Sequence, residues 1–380
     1  MAENKEKKVL NVPNLRFPEF KEEWKKCRFK DVVRLFRGSS PRPIIEYLTT
    51  DNEEGVNWVK IGDVPTSGRI ITSTEEKITK EGAKKSRHVY VGDLILSNSM
   101  SYGLPYIMGI EGCIHDGWFV LRDYEQKFNK DYLCNLLISD IVQKQYKKIA
   151  AGGVVQNISS DLVNSVYISI PSLDEQRKIA GLLSLIDERI ATQNKIIDKL
   201  QSLIKGIAHR ISKQDKSNIR LSECLQCSSS TLQESDVAEV GSYPVYGANG
   251  VVGYLDTYNT TDEAIYIIKD GSGVGSVSYI NGKCSATGTL NILQAKDGFS
   301  LRYLYFMLKV FSFEPYKTGM AIPHIYFKDY GKAKIFCPPY ELQNKYADLL
   351  SKIEQKAIAE QKILDNLCSQ KQYLLRQMFI

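Results

Sequence analysis

Displaced by 167 positions, residues 152–200 land on residues 319–367 without a gap. Gly152 falls on Gly319, Ile158 on Ile325, Ile168 on Ile335 and Pro171 on Pro338; Gln176 then meets Gln343, Lys178 meets Lys345, and Leu182-Leu183-Ser184 meets Leu349-Leu350-Ser351. Lys195-Ile196-Ile197-Asp198-Lys199-Leu200 meets Lys362-Ile363-Leu364-Asp365-Asn366-Leu367 in the same register. Upstream the offset drifts: Ile95-Leu96 meets Ile267-Ile268 and Gly103 meets Gly275 at 172, Tyr132-Leu133 meets Tyr303-Leu304 at 171, and Arg28-Phe29 meets Arg220-Leu221. A register this long identifies a duplication, and 380 residues suffice for two units with cores of their own. The first unit is the longer, with extra loop residues before position 95. A repeat that keeps its ends and varies its middle predicts one scaffold carrying two different recognition surfaces.

The most regular part of each repeat is its last stretch. From Asp174 to Ile211 there is no proline, and Gly181 and Gly206 are isolated. Ile179, Leu183, Ile186, Ile190, Gln193, Ile197, Leu200, Ile204, Ile207 and Ile211 alternate spacings of four and three, a heptad seam sustained for over four heptads. The second copy gives Tyr346, Leu350, Ile353, Ala357, Glu360, Leu364, Leu367, Lys371, Leu374 and Met378, with Lys371 the main departure. A stripe this narrow calls for one partner helix, and the other copy is the obvious one. Gln193 and Glu360 share a seam position, where a polar side chain sets register at some cost in stability. These helices carry no chemistry; their expected role is to hold two domains at a fixed separation. The chain therefore divides into an N-terminal extension (1–23), a first globular domain (24–173), a central long helix (174–213), a second globular domain (214–340) and a distal long helix (341–380).

The net charge of +6 permits nucleic-acid binding without announcing it. Residues 24–173 carry 20 Lys+Arg against 17 Asp+Glu, and residues 218–340 carry 10 against 11. With no basic tail, a DNA-binding role would need a partner to supply much of the phosphate neutralisation. No run of 18 apolar residues is present, so no membrane span is expected. The opening MAENKEKKVLNVPNLRF lacks an apolar signal core, which predicts a cytoplasmic location. Of the eight cysteines only Cys224 and Cys227 form a CxxC, with no second pair to complete a zinc site, so reduced thiols are expected. His88, His115, His209 and His324 show no metal spacing, and no metal ligand is assigned.

Both domains mix short strand-like and helical runs, an α+β pattern. Gly92–Ser97 and Glu263–Lys269 read as buried strands entering polar loops, Asn98–Gly103 and Asp270–Gly275; 131–148 and 301–310 read as helices. Two motifs mislead. Asp270-Gly271-Ser272-Gly273-Val274-Gly275 resembles a nucleotide or S-adenosylmethionine loop, but such a loop should open a helix. Here a second strand, Ser276–Gly282, follows, so a hairpin is expected. Cys337-Pro338-Pro339-Tyr340 resembles the tetrapeptide of adenine methyltransferases, which carry Asp, Asn or Ser first; its repeat partner is Ile170-Pro171-Ser172-Leu173. In both copies the prolines sit where a strand ends and the long helix begins. Asp93, after Gly92, reads as a strand-entry turn rather than a catalytic group, and no catalytic residue is assigned.

The chain resembles the specificity subunit of type I restriction–modification enzymes over nearly its whole length. The markers are Leu15-Arg16-Phe17-Pro18-Glu19-Phe20 with Trp24; Ser97–Gly103 followed by Cys113-Ile114-His115-Asp116-Gly117-Trp118; Tyr243–Gly250; Lys269–Gly273; and the proline and Glu/Gln entry to each long helix. The usual Pro-Pro-Leu-x-Glu-Gln is altered to Pro171–Gln176 and to Pro338–Gln343. The resemblance implies two tandem target-recognition domains with mixed or antiparallel sheets, related by a pseudo-twofold axis and joined by an antiparallel coiled coil. Each domain would read half of a bipartite, asymmetric site in double-stranded DNA. It further implies two modification (methyltransferase) subunits that carry S-adenosylmethionine, and two restriction subunits that use ATP and Mg; this chain itself would hold no cofactor and catalyse nothing.

Polar loops on a strand scaffold suit groove reading through amide and hydroxyl groups. The candidates are Ser97, Asn98, Ser99, Ser101 and Tyr102 in the first domain, and Tyr246, Asn249, Lys269, Asp270 and Ser272 in the second; Lys84, Lys85, Arg87, Lys147 and Lys148 are candidate phosphate contacts. A rod of thirty-eight residues at about 1.5 Å each is roughly 57 Å long, more than one DNA turn of about 34–36 Å. Two competing functions are a self-sufficient adenine methyltransferase, for which both motifs above fail, and a coiled-coil scaffold that binds only protein.

Overall fold

The computed structural model describes residues 10–66, 68–99, 103–150, 157–271, 273–319 and 322–380, without the side chains of 149 and 150. The chain forms two compact units: residues 1–194 with 363–380, and residues 195–362. The division falls inside the long helices rather than at their ends. The central helix spans Leu173–Ser212 and the distal helix Tyr340–Gln377. Each begins just after the prolines, with Asp174 and Glu175, or Glu341, in its first turn, where acidic groups suit the helix dipole.

In unit 1 the main sheet runs in the order Arg34–Arg37, Trp118–Arg122, Leu94–Ser97, Pro105–Met108, Ile70–Ile71, antiparallel except for the last pair. Leu94–Ser97 and, beside it, Trp118–Leu121 are buried because both faces are covered. Leu94, Leu96, Phe119 and Leu121 face a core shared with the helices, while Ile95, Trp118 and Val120 face a second core. The second sheet runs Leu48–Thr49, Glu76–Ile78, Val56–Val59, Gly112–Ile114, Arg87–Val89. A ribbon pairs Lys25–Arg28 with Tyr167–Ile170 and leads into the central helix.

Unit 2 repeats this plan with fewer strands. Its main sheet runs Leu225–Ser229, Leu290–Ala295, Ala264–Ile268, Val277–Ile280, and its smaller one Gly250–Leu255, Tyr243–Gly247, Ser285–Ala286. The entry ribbon pairs Ile219–Arg220 with Lys334–Ile335. Ile265, Ile267 and Leu293 face the helical core; Ala264, Tyr266 and Ile292 face the other. The glycine-rich stretch of unit 2 joins two antiparallel strands, Ala264–Ile268 and Val277–Ile280, as the sequence predicts.

The helix seam is laid down in each unit separately. In unit 1, Ile179, Leu183 and Ile186 share a core with Leu374, Met378 and Phe379. In unit 2, Ile204, Ala208 and Ile211 share one with Ala347 and Leu350. The start of the central helix thus meets the end of the distal helix, and its end meets the distal start, which is antiparallel pairing. Gln193 and Glu360 are buried at their seam positions. Lys371, the departure from the apolar frame, extends its ammonium to Asp187.

The N-terminal extension is fastened to unit 1. Arg16 donates from Nε to Glu175 Oε1 at 2.7 Å and from Nη2 to Oε2 at 2.8 Å, and Leu15 N donates to Gln377 O. Glu175 is 1% exposed, so this two-pronged pair fills a site that an unpaired carboxylate could not occupy cheaply.

Candidate functional site

One piece of backbone carpentry is built twice. In unit 1, Asn98 N donates to Gly117 O, Ile158 N donates to Asn98 O, and Ser99 bridges Asn157. In unit 2, Lys269 N donates to Thr289 O, Ile325 N donates to Lys269 O, and Asp270 bridges His324. Each hairpin closes on a glycine in the left-handed region, Gly103 at φ +76° and Gly275 at +90°, whose N–H donates to Ser97 O and Ile268 O respectively. A Cβ on either would press on an aromatic ring, Tyr146 or Phe313. The two loops therefore share a frame and differ in side chains: Asn98, Ser99, Asn157 and Asp116 in one, Lys269, Asp270, His324 and Gly288 in the other.

The frame is tied to the helices by a second duplicated contact. Gln176, wholly buried, accepts from Asn129 N at 2.9 Å and donates to Pro171 O at 3.1 Å. Gln343 accepts from Ser300 N at 2.9 Å and donates to Pro338 O at 2.8 Å. Asn129 and Ser300 are the N-caps of the short helices Lys130–Ile138 and Leu301–Lys309. One glutamine per unit thus locks the long-helix entry to the helix packed behind the sheet.

The candidate residues fare unequally. Ser97 and Asn98 were expected to face a ligand; both are buried and used by the fold instead. The Ser97 hydroxyl bonds the Leu104 backbone, and Asn98 Nδ2 donates to Asp116 O at 2.9 Å. The Ser97 hydroxyl and the Asn98 Nδ2 thus position the loop. Ser99 is half-buried. Ser101, Tyr102 and Ser272 lie outside the described residues. Lys84, Lys85 and Arg87 are exposed. Lys85 is steered by Tyr47, whose hydroxyl accepts from Nζ and whose ring lies 4.6 Å beneath it; that hydrogen bond raises the lysine's pKa. Arg87 donates to Arg37 O at 3.2 Å and stacks on Phe36. Lys147 and Lys148 are exposed at the end of helix Asp140–Ala150, which braces the loop through Gln143 Nε2 to Gly103 O.

In unit 2, Tyr246 and Lys269 both adjoin the Thr287–Thr289 segment: Thr287 N donates to Tyr246 O, and Lys269 N to Thr289 O. Lys269 and Asp270 are half-buried, and Asn249 is exposed at its hairpin turn. Beside them stand three residues not singled out as contacts from sequence. His324 packs edge-on against the exposed Tyr326 ring at 5.2 Å, and Lys328 lies 5.1 Å over that ring.

Unit 1 holds a further group, in which the marker stretch Cys113–Trp118 meets residues that no motif flagged. Gly38 lets two segments touch, since a Cβ there would sit 2.1 Å from His115 O. That contact brings Arg37, Ser40 and Arg42 up to Asp116. Ser40 Oγ donates to Asp116 Oδ1 at 3.0 Å, Arg42 Nη2 donates to Oδ2 at 3.0 Å, and Arg37 Nε donates to Asp116 O at 3.2 Å. Burial pushes the Asp116 carboxyl upward, but the Ser40 hydrogen bond, His115 and Arg42 together bring it below its ordinary value. His115 is lowered, chiefly by burial, with Lys60 and Arg42 adding to it. Gly117 N donates to its Nδ1 at 2.8 Å, so the neutral ring carries its proton on Nε2, 3.6 Å from Asp116 Oδ1. Ser40, Arg42, His115 and Asp116 edge a concavity of about 810 Å³ walled by Trp58 and Ile44.

Chemically, the described residues in and beside both loops present cations and hydrogen-bonding groups rather than a nucleophile beside a base. Asp93 accepts from Tyr90 N at 2.9 Å and pairs with Arg122 at 2.8 Å, a structural role. Cys337 is buried, its N–H bonded to Asn218 Oδ1. Among the described residues no cluster of His, Cys, Asp and Glu is placed to hold a metal, and no helix is long and apolar enough to cross a membrane.

Residues 21–202 and 214–368 match the family model described as the type I restriction modification DNA specificity domain. A type I specificity subunit of Mycoplasma genitalium is 26% identical over 265 residues, 62% of this chain and 68% of that one. The specificity subunit of the type I restriction enzyme MjaVIII of Methanocaldococcus jannaschii is 25% identical over 202 residues, 50% of this chain and 45% of that one. Among solved structures, the S subunit of a type I restriction–modification system from Mycoplasma genitalium superimposes with a TM-score of 0.62 at 18% identity, covering 97% of this chain and 99% of that one. A chain from a study of assembly and conformational transition in the type I system gives 0.57 at 18%, covering 93% and 96%. At such identity the structural likeness is one of fold.

Proposed function

The chain belongs to the type I restriction–modification DNA specificity family, and from that membership we propose that its two globular domains each read one half of a bipartite, asymmetric target in double-stranded DNA. The observation that carries this is the duplicated loop frame. Equivalent main-chain hydrogen bonds hold Ser99 and Asn157 in unit 1 and Asp270 and His324 in unit 2, so one backbone design presents two unlike sets of side chains. Exposed cations beside each loop supply phosphate contacts that position, while the loop side chains specify.

The long helices act as spacer and as the docking surface for two methyltransferase subunits. Repeat-related apolar residues outside the seam support two equivalent docking places: Ile196 is 37% exposed, and its counterpart Ile363 is 46% exposed. S-adenosylmethionine belongs to those partners, and ATP and Mg to two restriction subunits that complete the assembly. The chain is a recognition component and not a catalyst. The test is methyl transfer from labelled S-adenosylmethionine to DNA. The chain alone should transfer nothing, and the chain with its methyltransferase partner should label adenines in a split motif. Transfer by the isolated chain would overturn the proposal; loss of all DNA affinity in the partner-bound complex would favour a scaffold that binds only protein.

A further inference from the structure

Asp116 is the hub of the unit 1 surface. Its carbonyl takes Asn98 Nδ2 from the loop and Arg37 Nε from the neighbouring strand, and its carboxylate takes Ser40 and Arg42. The Arg42 side chain is nevertheless 78% exposed. An ion pair so open adds little to folding, so stability does not account for it. What the pair does is orient: a carboxylate held by a serine draws Nη2 of a planar guanidinium to itself, and the side chain stays open to solvent. The neighbouring cations are committed differently. Arg37 and Arg87 each spend Nε on a main-chain carbonyl, and Lys85 lies on Tyr47. In unit 2 the position equivalent to Asp116 is Gly288, whose N–H bonds Leu232 O, so the device belongs to one unit only.

We infer that Arg42, oriented by Asp116 and Ser40, reads a guanine in the half-site bound by unit 1, while Arg37, Lys84, Lys85 and Arg87 hold the flanking phosphates. The inference rests on the DNA-reading function proposed above. A guanidinium donating to guanine O6 and N7 is the commonest base-specific contact in the major groove, and a pre-oriented fork loses less freedom in making it. Asp116 is a positioning residue, acting through Arg42.

The test uses the complex with its methyltransferase partner and duplexes carrying its mapped target. Each guanine of the unit 1 half-site is replaced in turn by 7-deazaguanine, which lacks the N7 acceptor. The native complex should lose about tenfold or more in affinity at one guanine. With Arg42→Ala that loss should vanish, because the contact is already gone, and the position should accept other bases in methylation mapping. Asp116→Asn should reduce the 7-deazaguanine penalty, and Arg87→Ala should weaken binding to all sequences alike with a shallower salt dependence. Retained preference at the remaining bases of the unit 1 half-site shows that unit 1 of each variant is folded. A half-site without guanine, a penalty that persists in Arg42→Ala, or an Arg42→Ala effect that is uniform across sequences would overturn the inference. Failure of the native complex to prefer any sequence would instead sink the underlying function.

Discussion

Gln176 and Gln343 each satisfy an N-cap N–H and a proline carbonyl from one buried amide. Replacing either by alanine strands those groups away from water, at a cost of about 1–3 kcal/mol each. Gln176→Ala is expected to speed hydrogen exchange at the Asn129 amide and leave Ser300 slow, with Gln343→Ala doing the reverse; equal effects in both units would contradict the separate locks. The thiols give a second residue-level check. Burial pushes Cys113, Cys134, Cys227 and Cys337 up to about 11 and Cys224 up to about 12, while Cys368 is exposed on the distal helix. Since the thiolate is the nucleophile, these five should resist an alkylating reagent at pH 8 and Cys368 should label first, as mass spectrometry would show. At this scale the sequence was only partly legible. Ser97 and Asn98 have the composition of a contact loop, but strand direction turns them inward, and composition does not encode direction. Arg37 and Arg42 look like scattered surface charges until Gly38 folds them against His115. That glycine, in Arg37-Gly38-Ser39-Ser40, was the one available hint.

The long helices were the most legible elements, because a seam at spacings of four and three needs no distant information. Their polar positions also held meaning: Lys371 meets Asp187, and Glu354, the repeat counterpart of Asp187, takes Arg302 at 2.5 Å and the Tyr305 hydroxyl at 2.7 Å. An acid at the same repeat position on each helix is thus neutralised by a different partner in each unit. The buried strand Leu94–Ser97 and the largely buried Ala264–Ile268 were legible as apolar runs for the same local reason. Two-residue strands such as Leu48–Thr49, Ile70–Ile71 and Ser285–Ala286 were not, since only non-local pairing defines them. If the helices are the ruler, seven residues added after Ile190 and at the matching point after Ala357 lengthen the rod by about 10.5 Å, about three base-pair steps of 3.4 Å. Methylation mapping should then return the same half-sites with a longer spacer; an unchanged spacer would mean that the helices do not set it.

Over the whole molecule, the duplication separates what the two units share from what distinguishes them. The repeat preserves what must be the same twice, namely the ribbon entry, the glutamine lock and the hairpin closed by Gly103 or Gly275. It varies what must differ, the side chains at Ser99 and Asp270, Asn157 and His324, Asp116 and Gly288. The same comparison removes the catalytic-looking motifs, since neither the glycine-rich hairpin nor Cys337-Pro338-Pro339-Tyr340 has a repeat partner with matching chemistry. The central claim is that each unit reads its own half-site independently. Its most direct test replaces residues 24–173 by the corresponding domain of a family relative and maps methylated adenines genome-wide with the methyltransferase partner present. The account predicts a motif in which one half changes while the other half and the spacer stay as they were; a motif in which both halves change together would contradict it.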